Sequence, residues 1–198
     1  MIKNHKEFFN EMAESWDQQQ QSISPEKYRR LVKECKISSR QTILDIGTGT
    51  GVFIPYLLET IGNNGVIFAV DYAENMIEKF ITKRYPENVK PMVADIHKTD
   101  FCNNFFDRII ANACYPHFEK KQKASKEIYR ILKKGGIFII SHIQGRKFIN
   151  NLHRTAHNII AKDMIPPLVA LKGFGESCGF KFLKGIDEED FFFISFTK

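Results

Sequence analysis

Cysteine is scarce in this 198-residue chain: Cys35, Cys102, Cys114 and Cys178 lie far apart and form no CxxC pair. That spacing excludes a zinc ribbon and a disulfide-stapled fold, and it fits a reducing compartment. No apolar run approaches the length needed to span a bilayer. The opening "MIKNHKEFFNEMAESWD" is charged and amphipathic, without the apolar core of a signal peptide. A cytoplasmic protein without stable membrane insertion is the expectation. Charge is not blocked: 29 Lys and Arg are interspersed with 23 Asp and Glu, for a net +6. Such a balance attracts anions weakly and makes no nucleic-acid platform. Internal repeats are missing, and 43% apolar content over this length suits one domain, 1–198.

What is present is a strict alternation from Thr42 onward. "TILDIG", "GVIFAVD", "VKPMVAD", "FFDRIIAN" and "IFIISH" read as five apolar strands. Helices are expected over 52–61, 73–85 and 120–132. Apolar strands separated by amphipathic helices imply a parallel sheet covered on both faces. The chain ends differently. A helix over 167–178 leads to "FKFLKGI", the acidic turn Asp187–Asp190, and "FFFISFT", which should pair as an antiparallel hairpin. Ahead of the core, 1–38 reads as helical: a helix over 4–16 carries Phe8, Phe9, Met12 and Trp16. Gln18–Gln21 form a polar break, and Pro25 opens a helix to Cys35. The first helix either closes over a pocket as a lid or packs on the core.

"LDIGTGTG" ends the first strand and opens the first core helix. Gly47, Gly49 and Gly51 let the backbone turn tightly and approach a ligand. A dinucleotide fingerprint needs its third glycine at position 52, which is Val52, and no Gly-Lys-Ser/Thr of a P-loop follows. Asp71 ends the second strand, where a carboxylate can accept ribose hydroxyls, and Asp95 ends the third. Each is also a good helix cap or turn residue. Three strands in order, each ending in the required group, favour the ligand reading.

With these residues the chain resembles the class I, Rossmann-like S-adenosylmethionine-dependent methyltransferases, of a general small-molecule type. "ILDIGTGTG", "VDYAENMIEK" and "VADIH" look like the family's first three motifs. "FDRIIANACYPHF" and "EIYRILKKGGIFIISH" look like its fourth and fifth strand regions, with Lys134 where many members have proline. The resemblance implies a doubly wound α/β fold, a seven-stranded sheet in the order 3-2-1-4-5-7-6 with strand 7 antiparallel, between helical layers. It implies a core over 41–198 that binds S-adenosylmethionine and yields S-adenosylhomocysteine. Asp45, Gly47, Thr48, Gly49 and Gly51 would line the methionine part, and Asp71 would hold the ribose. Tyr72 and Met76 would sit beside the adenine, Asp95 and the backbone of Ile96 would read it, and Asn112 would border the methionine group. "FFNEMAESWD" and the layout are similar to the menaquinone/ubiquinone methyltransferases.

The methyl acceptor is harder to read, because a sulfonium methyl is already activated and alignment supplies much of the catalysis. "NACYPHFEK" after strand four offers His117, and "SHIQGRKFINNLHRTAH" after strand five begins with His142. On a helix, Arg146, Asn150, His153 and His157 share one stripe, and Phe148, Ile149, Leu152, Ala156, Ile159 and Ile160 fill the other side. The stripe is either a solvated face or a wall of the acceptor site. In the second case His117, His142 and His153 serve as bases or acceptor contacts, and Arg146 clamps an anionic group. His157 should stay in solvent. Metal binding by His117, His142 and His153 is the lesser alternative, since no carboxylate or cysteine is pre-paired with them, so no metal is assigned. "NACY" lacks the Asn/Asp-Pro-Pro-aromatic run used on exocyclic adenine amines. A small-molecule methyltransferase acting as monomer or homodimer is expected, with a quinone or lipid-precursor enzyme and a non-catalytic binding module as alternatives.

Overall fold

The central strands form because their runs are rich in β-branched residues and apolar on both faces. Ile43 and Leu44, adjacent in the chain and pointing to opposite faces, are both fully buried. Each such side chain contributes about 1.5–3 kcal/mol on burial. The computed structural model describes residues 2–20 and 23–198 and places the strands in one seven-stranded sheet. They are β1 (Thr42–Ile46), β2 (Val66–Asp71), β3 (Val89–Val93), β4 (Phe106–Asn112), β5 (Leu132–His142), β6 (Lys181–Asp187) and β7 (Phe192–Thr197). The order is β3-β2-β1-β4-β5-β7-β6, with β7 antiparallel to both β5 and β6, as the resemblance implies. The strand "VKPMVAD" tolerates Pro91 because β3 is the sheet edge, where a missing N–H costs little. "IFIISH" is the regular part of β5: pairing with β4 jumps from Phe106–Leu132 to Arg108–Ile137, so Lys133–Gly136 bulge out.

Around the sheet lie α3 (Pro25–Glu34), α4 (Ile54–Ile61), α5 (Glu74–Thr82), α6 (Lys121–Ile131), α7 (Arg146–Thr155) and α8 (Leu168–Ser177). One apolar cluster, including Leu44, Phe106, Ile128 and Phe196, fills one face of the sheet; a second, with Leu31, Ile43, Leu57 and Phe193, fills the other. The expected helix over 4–16 is two pieces, α1 (His5–Met12) and α2 (Trp16–Gln20). Most of the glutamine run is therefore helical rather than a break, and Gln21 lies outside the described residues. α1 and α2 reach the core through Phe9, Met12 and Trp16, which pack on Ala73 and Met76 at the start of α5. No helix is long and apolar enough to cross a membrane among the described residues.

Candidate active site

The parallel strands β1, β2, β4 and β5 end along one edge of the sheet, and β1 sits where the chain order reverses, between β2 and β4. In open α/β sheets a ligand crevice opens at that point. Two cavities meet there. The first, about 400 Å³, is lined by Gly47, Gly49, Asp71, Tyr72, Met76, Asp95 and Ile96 under Phe9 and Trp16. The second, about 290 Å³, is lined by Asp45, Thr48, Asn112, His142, His153 and the apolar side chains of α1, α2 and α7. Gly47, Ala113 and His117 border both.

The glycine loop is shaped by close approach. Gly47 has φ +64°, and a Cβ there would lie 2.5 Å from Cβ of Cys114, so the loop touches the β4 end directly. Gly49 donates its N–H to Oδ2 of Asp71 at 2.9 Å, and Ala73 donates to Oδ1 at 2.9 Å. Gly51 lines neither cavity. A Cβ on it would strike the Phe80 ring at 2.6 Å and its φ is +84°, so this glycine lets the loop pack closely on α5. Ala113 holds φ +57°, unusual for a residue with a Cβ, at the junction of the two cavities.

Two buried carboxylates face this loop. Burial pushes Asp45 up to about 7 despite the Thr48 hydroxyl donating to it at 2.7 Å. Burial likewise raises Asp71 to about 6, against the backbone N–H groups that favour its charge. Neither has an ion-pair partner among the described residues. Asp95 is more open. Its Oδ1 accepts the His97 backbone N–H at 2.9 Å and lies 2.6 Å from Nδ1 of His97. The Lys120 N–H donates to Nε2 of His97, which assigns the ring proton to Nδ1. The Tyr72 hydroxyl is buried in the first cavity with no hydrogen-bond partner among the described residues.

On the other side the histidines separate by environment. His142 is 2% exposed, and both its ring nitrogens lack a partner among the described residues. Burial depresses its pKa to about 3, so the ring is neutral. His153 is buried and donates from Nδ1 to the Asp163 carbonyl. His117 lies 2.8 Å from Oδ2 of Asp163 through Nδ1, and burial lowers its pKa.

The helix after β5 departs from expectation in three ways. Arg146 lines neither cavity; its Nε donates to Oδ2 of Asp187 on β6 at 2.8 Å, so the expected anion clamp is closed by the C-terminal hairpin. Asn150 accepts the N–H of Ile165 at 2.8 Å and donates to its carbonyl at 3.1 Å, pinning the connection to α8. Opposite it, Phe148 and Leu152 are half exposed rather than packed in a core. His157 is exposed, as expected. His5 and Asp163 escaped the sequence reading. His5 Nε2 lies 2.7 Å from Oδ2 of Asp163, and the two are separated by 158 residues, beyond any local pattern.

Known proteins resemble this chain in sequence and in fold. Residues 44–140 match the methyltransferase domain family. Malonyl-[acyl-carrier protein] O-methyltransferase of Bacillus cytotoxicus is 32% identical over 149 residues, 74% of this chain and 51% of that protein. A ubiquinone/menaquinone biosynthesis C-methyltransferase of Coxiella burnetii is 26% identical over 55% of this chain and 45% of its own length. The chain thus spans about half the length of these curated relatives. Among solved structures, a putative S-adenosyl-L-methionine-dependent methyltransferase of Methanococcus maripaludis superimposes with a TM-score of 0.76. It is 21% identical, with 100% of this chain and 97% of that one covered.

Proposed function

We propose that this chain, whose residues 44–140 match the methyltransferase domain family, is a class I S-adenosylmethionine-dependent enzyme that methylates an uncharged, largely apolar small molecule. The observation that carries the proposal is the second cavity. It holds the orphaned His142 ring and contains no Lys or Arg among its lining residues. A non-catalytic binding module has no use for a second cavity beside the glycine loop. An anionic acceptor finds no counter-charge there, because Arg146 is spent on Asp187.

The first cavity fits the cofactor by charge and by unmet hydrogen bonds. Asp71 lines the first cavity and Asp45 the second, beside the Gly47 that borders both; each is buried without a cationic partner among the described residues, and S-adenosylmethionine carries an ammonium and a sulfonium. Asp71, already oriented by the Gly49 and Ala73 amides, would take the ribose hydroxyls. Asp95, whose Oδ1 is engaged by His97, keeps Oδ2 for the adenine amino group, with Ile96 beside it. Tyr72 would give its unpaired hydroxyl to the ligand, and Met76 would pack on its ring. Thr48 fixes Asp45 on the methionine side, where Asn112 lines the wall. When bound, the cofactor supplies an activated methyl group.

The chain's own part is to orient the acceptor and exclude water. A ring with a pKa near 3 is a poor base at neutral pH, so His142 acts as a hydrogen-bonding contact instead. A neutral imidazole offers one donor and one acceptor, and in a dry cavity an acceptor able to satisfy both is strongly selected. Phe8, Met12, Ile149 and Leu152 supply the apolar walls. Quinone or lipid-precursor rings fall within this acceptor class.

The test is methyl-radiolabelled cofactor incubated with a fractionated metabolite extract. Label should appear in an uncharged, solvent-extractable product and be lost with His142→Ala. Label confined to anionic, water-soluble products would refute the acceptor class.

A further inference from the structure

We infer that His5, His117 and Asp163 form a binding site for a divalent first-row transition metal between the N-terminal helix and the acceptor cavity. The three residues come from the start of α1, the turn after β4 and the connection after α7, so the fold itself brings them together. Nε2 of His5 and Nδ1 of His117 lie 2.7 and 2.8 Å from the same oxygen, Oδ2 of Asp163. The three ligand atoms all fall within 4.8 Å of one another. A metal bonded to nitrogen and oxygen at about 2.0–2.2 Å needs its ligands spaced by little more than these contacts.

The surroundings are those of a supported ligand set. His153 donates from Nδ1 to the Asp163 backbone carbonyl and so fixes the carboxylate's residue from behind. The other ring nitrogen of His5, Nδ1, faces Oε1 of Glu119 at 3.6 Å, the direction in which a ligating imidazole hands its remaining N–H to a carboxylate. Two imidazoles and one carboxylate suit iron(II), manganese, cobalt, nickel or zinc, and are too poor in oxygen for calcium or magnesium. Three protein ligands leave at least one position for water or a heteroatom. Because His117 also lines both cavities, the metal stands at the active-site border and ties α1 to it. This site goes beyond the methyl-transfer reading and does not depend on it.

The experiment uses the untagged full-length chain, stripped with chelator and titrated with cobalt(II) alone, followed by visible ligand-field absorption. A single saturable equivalent is expected. His5→Ala, His117→Ala and Asp163→Asn should weaken it by more than about 100-fold, beyond the loss typical of outer-shell partners. The exposed His157→Ala should bind as wild type does. His5→Ala changes only the outer helix and keeps the test valid if His117→Ala does not fold. No saturable equivalent, or equal affinity in His5→Ala and wild type, would overturn the inference and leave the triad as a hydrogen-bonded latch.

Discussion

Asp45 and Asp71 owe their raised pKa values to burial, so a cationic ligand competes with protons for them. Affinity for S-adenosylmethionine should be full above pH 7 and fall as pH drops through 7 and then 6. The decline approaches about tenfold per pH unit for each carboxylate that must ionise. Calorimetric titrations from about pH 7.5 to about pH 5.5 check this, and Asp45→Asn should flatten the upper part of the curve. The pKa of His142 is shifted the other way. At about 3 in the fold it lies below the unfolded value, so the neutral ring supports stability above about pH 6.5. That support is lost as pH falls toward 3. His142→Leu should therefore flatten the acid limb of unfolding free energy against pH; an unchanged limb would contradict the buried, unpaired ring.

At the scale of elements, α1 and the start of α2 meet α5 through one small apolar cluster, Phe9, Met12 and Trp16 on Ala73 and Met76, and otherwise through surface polar contacts. Lys6 pairs with Glu74, Asn10 bonds Asn75, and Lys79 pairs with Glu14. Exposed pairs of this kind contribute about 0–1 kcal/mol each, so this pair of helices should be the loosest part of the site. Its amides should exchange hydrogen faster than those of β1 and β4 and slow when cofactor fills the cavity under Trp16. α7 is placed by Gly145, where a Cβ would collide with the backbone of Glu188 and Glu189. Backbone cannot yield as a side-chain tip does, so Gly145→Ala should destabilise by about 1–3 kcal/mol in denaturant unfolding.

Across the whole molecule, what was legible in the sequence was what repeats locally or ends a strand. Period-two and period-3.6 patterns specify the sheet and its helices, and Gly47, Gly49, Asp71 and Asp95 are readable because each stands at a strand end. Contacts made across the fold leave no such trace. Arg146 looked free until Asp187, 41 residues on, proved to hold it, and His5 meets Asp163 only once α1 has docked. The polar stripe of α7 likewise reads as one face in the sequence. In the fold its members split between the hairpin, the α8 connection and the cavity.

The proposed function divides labour between a cofactor cavity and an acceptor cavity, and binding of S-adenosylhomocysteine to purified variants tests that division most directly. Asp71→Asn should weaken binding by about 10- to 100-fold, the loss expected for hydrogen bonds to a buried charge. His142→Leu should leave it within about twofold. Wild-type affinity in a folded Asp71→Asn, or an equal loss in both variants, would contradict the two-cavity account.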